Sequence, residues 1–121
     1  HPLAHLAAYP AAELERETYI DISPGEETDN SRFLAERGIN VRRRASTSDV
    51  YGALSLVGAG LGVALVNTLL ARGIDTGHRA VLLPLDPPYL VEIGAAYHPP
   101  EEQSPAARRF TDYALARLSA L

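Results

Sequence analysis

The sequence predicts an α/β domain in which helices flank a mixed, mostly parallel sheet. Short β-favouring runs alternate with segments whose apolar residues recur at helical spacing. Between them stand the Gly, Pro, Ser and Asn residues that are typical of turns and helix caps. This alternation favours parallel pairing, because each helix carries the chain back to the start of the next strand. A length of 121 residues is enough for one domain.

The first half of the chain predicts two strands and two helices. Ser23 followed three residues later by Glu26 fits a capping box that opens the first helix, and Gly38 suits its end. The cluster of cap residues before Val50 opens the second helix, which Gly58 ends. The expected elements are an irregular lead-in (1–12), a short turn (14–18), a strand (19–22), a helix (to 37), a strand (39–44) and a helix (from 50).

The second half predicts three more strands and two helices. Asn67 caps a short helix, and Ser104 followed by Pro105 opens the last one, since proline suits the first helical position. An apolar stripe of Ala107, Phe110, Ala114 and Leu118 runs along that last helix, with Tyr113 nearby. The expected strands are 63–66, 81–83 and 90–97, the helices are 67–71 and 104–118, and the flexible loops are 72–78 and 98–104.

Composition excludes several classes of function. The net charge of −4 gives no electrostatic reason to expect a nucleic-acid surface. The chain has no cysteine and no apolar run long enough to span a membrane, and its four histidines show no metal-binding spacing. No nucleophile elbow is present either. We therefore expect no metal, no cofactor, no membrane partner and no catalytic residues.

A glycine-rich segment at residues 58–62 resembles a phosphate-binding loop only superficially. A dinucleotide-binding loop follows a strand and opens a helix. Here the predicted helix comes before the glycines and the predicted strand after them. The segment is therefore expected to end a helix and allow close packing.

Three predicted strand-to-helix junctions carry small polar residues, and these are the candidate ligand-binding residues. Backbone N–H groups at helix N-termini attract anions, and the carboxyl ends of parallel strands meet at one ligand crevice. The alternative is that each group only caps its own helix. The candidate residues are Ser23, Pro24 and Gly25 at the first junction, Ser46, Thr47 and Ser48 at the second, and Asn67 at the third.

Arg42, Arg43 and Arg44 form a dense basic cluster in the second predicted strand. One of these side chains could face the crevice and pair with a carboxylate. The alternative is a solvated strand face.

Several segments, taken in order, resemble the effector-binding domain of LysR-type transcriptional regulators. The opening HPLA at residues 1–4 is similar to the start of that domain's second subdomain, and residues 13–20 to the segment that follows. The block LVGAGLGVALV at 56–66, preceded by STSD at 46–49, is similar to the family's helix-and-strand block. LLPL at 82–85 and SPAARRF at 104–110 are similar to its last strand and helix. Asn67 departs from the family, which commonly has proline there.

The resemblance implies half of a type II periplasmic-binding-protein-like fold. Residues 1–90 would form the second subdomain, and residues 90–121 a strand and helix that return to the first subdomain. Because the chain lacks methionine and begins at His1, we expect a fragment, a processed product or the ordered part of something longer. The resemblance implies that the family's first subdomain and its helix-turn-helix are the missing parts. The implied protein is cytoplasmic and homo-oligomeric, binds a small and anionic effector, and contacts DNA only through the absent helix-turn-helix.

Three predictions concern the isolated chain. It should not bind duplex DNA specifically, because it is acidic overall and has no candidate recognition helix with basic flanks. It should bind effector weakly because half the cleft is absent, and it should self-associate through the last helix, the alternative being that this helix folds back over its own sheet. Two alternatives to the regulator stay open. One alternative is a solute-binding domain of a transport system, which a secretion signal would support. The other is an enzyme on the same fold, which would need a catalytic base or nucleophile in the crevice.

Overall fold

The computed structural model describes residues 1–118, which fall into two compact units that divide between Val91 and Glu92. The first unit contains a 3₁₀ helix at Ala11–Arg16 and the elements β1 (Tyr9–Pro10), β2 (Thr18–Ile22), α1 (Asp29–Glu36), β3 (Arg42–Thr47), α2 (Val50–Gly58), α3 (Thr68–Ala71) and β4 (Leu85–Asp86). The second contains a 3₁₀ helix at Pro100–Glu102 and α4 (Pro105–Leu118). This is an α/β architecture with parallel strands, as the sequence predicts.

The strand β2 lies between β3 and the segment that begins at Val63. It pairs with β3 in parallel, and the ladder shifts register between Tyr19 and Ile20. On its other side, Ile20 donates its backbone N–H to the Val63 carbonyl at 2.9 Å, and Tyr19 forms a parallel bridge with Val63. A separate parallel pair joins β1 to β4.

The core of the first unit lies on the face of β2 that carries Tyr19. There Tyr19 packs with Phe33 and Leu34 of α1, with Leu14 of the 3₁₀ helix and with Leu65. Because successive strand residues face opposite sides, Ile20 points to the other face, where α2 packs on β2 and β3. Ile20 and Ala53 of α2 are both fully buried. The sheet is therefore covered on both faces, as parallel sheets usually are.

The prediction that Ser23 and Glu26 open the first helix is wrong. The helix α1 begins later, with Thr28 as its N-cap in a reciprocal capping box with Ser31. Ser23 instead adopts a φ of 56° and donates its N–H to the Thr47 carbonyl at 2.8 Å, which commits it to a turn after β2. The predicted helix end is confirmed, since Gly38 follows α1 with a φ of 64°.

The predicted strands in the rest of the chain are only partly confirmed. Residues 63–66 pair only at Val63, because the Leu65 carbonyl accepts a hydrogen bond from the Asn30 side chain at 2.9 Å. Pairing of the second strand begins at Arg42 instead of residue 39, because Ile39 still donates to the Leu34 carbonyl of α1. The strand expected at 81–83 is displaced to Leu85–Asp86, and residues 90–97 form no strand.

The last helix forms as predicted. Ser104 precedes α4, and its side-chain oxygen accepts the Ala107 N–H at 3.2 Å, while Pro105 occupies the first helical position. The stripe residues Phe110 and Leu118 are exposed. The end of the expected return segment, residues 119–121, lies outside the described residues.

Candidate functional site

The strands β2 and β3 end side by side, and their carboxyl ends bring two of the three predicted junctions into direct contact. Ile22 pairs with Thr47 at the last rung of the ladder. Beyond it, Ser23 donates its N–H to the Thr47 carbonyl at 2.8 Å and its hydroxyl to the Ser48 carbonyl at 3.4 Å. The first and second junctions therefore form one continuous surface, which we call the strand-end edge.

At the first junction the chain makes an exposed turn. Pro24 and Gly25 are exposed, Gly25 has a φ of 85°, and the Glu26 N–H closes the turn on the Ser23 carbonyl at 3.3 Å. No helix starts at this point, so any ligand would meet a turn instead of the helix N-terminus that the sequence suggested.

At the second junction the polar residues divide between the strand and the loop. Ser46 lies inside β3 and pairs with Asp21, while Thr47 ends the strand and bonds through its hydroxyl to the backbone of Asp49 at 3.4 Å. Ser48 is exposed between β3 and α2. The N-cap of α2 is Asp49, whose carboxylate accepts the Gly52 N–H at 2.9 Å.

At the third junction Asn67 caps α3. Its side-chain oxygen accepts the Leu70 N–H at 2.9 Å, which confirms the predicted cap. The segment from Val63 runs parallel to β2, so Asn67 follows it at the end of the sheet that carries Ser23. Asn67 is bonded within its own helix, whereas Ser23 is bonded to the second junction.

Two of the three clustered arginines, Arg42 and Arg43, form side-chain hydrogen bonds within the chain. Arg43 donates to the Asp21 carboxylate at 2.8 Å, and Arg42 donates to the Arg16 carbonyl. Arg44 is exposed, with no hydrogen-bond or ion-pair partner among residues 1–118. The pairing with a carboxylate considered from the sequence therefore occurs within the chain, between Arg43 and Asp21.

Sequence reasoning missed two residues that shape this edge. Thr28 caps α1, and Asn30 joins α1 to the third segment through the Leu65 carbonyl, whereas Asp49, which caps α2, belongs to the predicted cluster of cap residues. Thr28 carried a readable signal, because it is a preferred cap residue directly before a helix. Asn30 carried none, since its partner lies 35 residues away. Within residues 1–118 no cluster of histidine and acidic side chains could hold a metal ion.

In open α/β sheets, ligands bind outside the carboxyl ends of the strands, and the strand-end edge lies at this place in the sheet. The family model described as "LysR substrate binding domain" matches residues 1–119. The chain therefore belongs to the LysR substrate-binding domain family, whose fold is periplasmic-binding-protein-like and whose members act in transcription regulation. No curated protein and no solved structure matches the chain. None of the helices among the described residues is long and apolar enough to cross a membrane.

Proposed function

We propose that this chain is the effector-sensing part of a LysR-type transcriptional regulator and that it binds a small anionic ligand at the strand-end edge. The observation that carries the proposal is the family match over residues 1–119, which assigns the chain to an effector-binding domain of regulators. In the full-length protein, ligand binding would change DNA binding, and the protein would be cytoplasmic and homo-oligomeric. No catalytic step and no cofactor is part of the proposal.

The strand-end edge suits a small anion in its geometry and its donors. Ser48 is exposed where β2 and β3 end, and α2 begins two residues later, at Val50. The Asp49 carboxylate caps that helix end and already neutralises part of its dipole. A ligand would therefore be held by the Ser48 hydroxyl and the Asn67 side-chain amide, while Ser23, whose own donors bond to Thr47 and Ser48, shapes the surface together with Pro24, Gly25, Ser46 and Thr47.

The first test is a titration of the ¹⁵N-labelled chain with succinate, benzoate and inorganic phosphate, followed by NMR. We expect at least one of these anions to produce saturable shifts at the amides of Ser23, Gly25, Ser48 and Asn67. Ser48→Ala should weaken that binding several-fold, because it removes one exposed hydroxyl. Ser55→Ala is the matched control, since Ser55 is an exposed serine of α2 that lies away from the edge. Failure of all three anions to shift these amides at millimolar concentration contradicts the proposed site.

A second test separates regulation from transport. A regulator requires that the ligand found in the titration change the affinity of the full-length protein for DNA, and linkage requires that DNA change ligand affinity by the same factor. A solute-binding domain of a transport system would bind the ligand with no effect on DNA binding. Fluorescence anisotropy of a labelled promoter fragment, with and without the ligand, distinguishes the two functions.

A further inference from the structure

A second, separate groove lies between α2 and the loop at residues 75–80. Tyr51, Leu54 and Gly58 of α2 line one side, and Asp75 and Arg79 line the other. Its volume is about 670 Å³, which lies within the range of roughly 300–1,000 Å³ that is typical of small-molecule sites. None of the strand-end residues contributes to its lining.

The loop that forms the far side of the groove contains hydrogen bonds of its own. The Arg79 N–H donates to the Thr76 carbonyl at 3.0 Å, and the Gly77 N–H donates to the Asp75 carboxylate at 2.8 Å. Gly77 and His78 both have positive φ, at 53° and 61°, which is the geometry of a type I′ turn. Arg79 therefore ends this tight turn, and Asp75, which directly precedes the turn, is bonded to the Gly77 N–H.

Contact with α2 sets the position of Arg79. A Cβ atom on Gly58 would lie 3.2 Å from the Arg79 Cβ, so glycine at position 58 lets the arginine stem lie this close to the helix without a shift. Among residues 1–118 the Arg79 guanidinium has no carboxylate or carbonyl partner. Arg79 therefore lines the groove with its aliphatic stem packed on α2 and its guanidinium unpaired among the described residues.

The groove also holds a negative group and an apolar surface. The Asp75 carboxylate accepts only the Gly77 N–H, and no ion pair joins it to Arg79 within the described residues. The Tyr51 ring is 70% exposed and lies with Leu54 on the α2 side. One cation, one anion and an aromatic–aliphatic surface therefore face a common space, and the two charges do not neutralise each other.

We propose that this groove binds a free α-amino acid with an apolar side chain. The ligand carboxylate would pair with Arg79, whose guanidinium suits bidentate carboxylate recognition. The ligand ammonium would pair with Asp75, and the apolar side chain would lie against Tyr51 and Leu54. The inference is independent of the strand-end edge, because the two surfaces share no residue.

The test is an NMR titration of the ¹⁵N-labelled 121-residue chain with L-leucine. We expect saturable shifts at the amides of Gly58, Ala59 and residues 75–80, and no shifts at Ser23 or Ser48. Arg79→Gln and Asp75→Asn should each weaken binding about tenfold, because each removes the side-chain charge that would pair with one charged end of the ligand. Both residues are exposed, so the substitutions leave the fold intact. Arg44→Gln is the control, since it removes an exposed and unpaired arginine on β3.

Analogues of leucine decide whether both charges are recognised. N-acetyl-L-leucine lacks the ammonium and L-leucinamide lacks the carboxylate, so each should bind about tenfold more weakly than L-leucine. The proposal is overturned if L-leucine gives no saturable shift at millimolar concentration, if the analogues bind as well as L-leucine, or if Arg79→Gln binds normally. It is also overturned if the same amides shift on raising the protein concentration without ligand, since the groove is then a contact between copies.

Discussion

Tyr19 carries a hydroxyl group into the interior of the first unit without giving it a hydrogen-bond partner. Its side chain is fully buried in the middle strand, and its oxygen bonds to no described group. A buried, unsatisfied hydroxyl costs about 1–3 kcal/mol. We therefore expect Tyr19→Phe to raise the free energy of unfolding by about 1 kcal/mol in urea titrations. Tyr51→Phe is the control, since the Tyr51 ring is exposed, and it should change the free energy of unfolding little. A loss of stability in Tyr19→Phe would show that the Tyr19 hydroxyl has a hydrogen-bond partner.

The same residue makes stability depend on alkaline pH. Burial raises the pKa of Tyr19 from 10.0 to about 12, with the Asp21 carboxylate adding to the shift and Arg43 opposing it. Because the folded pKa is the higher one, the stabilisation is complete below pH 10 and is lost as the pH rises towards 12. Urea unfolding at pH 9, 10 and 11 should show this decline. Burial also raises the pKa of Tyr9 to about 12, so Tyr19→Phe should make the decline less steep and leave the part that Tyr9 contributes. An equally steep decline in the variant would assign the effect to other groups.

Gly62 is the residue where backbone space is most restricted. Its φ is 155°, and a Cβ atom built on it would lie 2.1 Å from the Thr18 carbonyl oxygen, a backbone atom that cannot swing away. Gly62→Ala should therefore cost about 3 kcal/mol or more, since it forces β2 and the Val63 segment apart. Gly60→Ala is the matched control. Gly60 also has a positive φ, of 79°, but a Cβ atom added there would meet open space, so this substitution should cost only about 1 kcal/mol. Equal losses for the two variants in thermal unfolding would contradict the packing argument.

At the scale of single elements, the cap of α2 can be tested directly. The Asp49 carboxylate satisfies the Gly52 N–H at 2.9 Å and places a negative charge at the positive end of the helix. Asp49→Ala should lower the free energy of unfolding by about 1 kcal/mol. Asp49→Asn should keep most of the stabilisation that the cap provides, because asparagine caps about as well as aspartate. Circular dichroism during urea unfolding measures both. Equal losses in the two variants would show that charge, and not the side-chain hydrogen bond, provides the stabilisation.

Elements determined by local chemistry could be predicted from the sequence, and those determined by distant partners could not. Asn67 and Ser104 cap helices within three residues of themselves, so both helices were predicted. Ser23 and Thr28 are both plausible caps, and the choice falls on Thr28 because Ser23 bonds to Thr47 across the sheet. The strand at 63–66 fails for the same reason, since Asn30 takes the Leu65 carbonyl.

In the candidate site, too, some contacts could be predicted from the sequence and others could not. That Ser23 and Ser48 meet could be expected from parallel strands, whose carboxyl ends share one edge. The bonding of Arg43 to Asp21 within the chain could not, because the pair depends on the register of β2 and β3.

At the scale of the whole molecule, α4 carries an apolar surface that suits an interface. Phe110 is 72% exposed, and Tyr113 and Leu118 are also exposed. Exposed apolar clusters of this kind commonly mark association surfaces. We expect the chain to be dimeric at high micromolar concentration and Phe110→Asp to be monomeric, as measured by light scattering. Asp112→Arg also changes the charge of α4, but two positions from Phe110 and therefore on nearly the opposite side of the helix, so it should leave the dimer intact. A monomeric wild-type chain would exclude self-association.

The register shift in the β2–β3 ladder changes which side chains of β3 share a face. Tyr19 pairs with Arg43, but Ile20 pairs with Ala45, so Arg44 is the extra residue of a bulge. In an unbroken strand, residues an odd number of positions apart face opposite sides. Here Arg43 and Ser46, three apart, pair with Tyr19 and Asp21, which share a face. The bulge thus reverses the parity of the strand, and it places one arginine and one hydroxyl of β3 on the side of the sheet that bears Asp21.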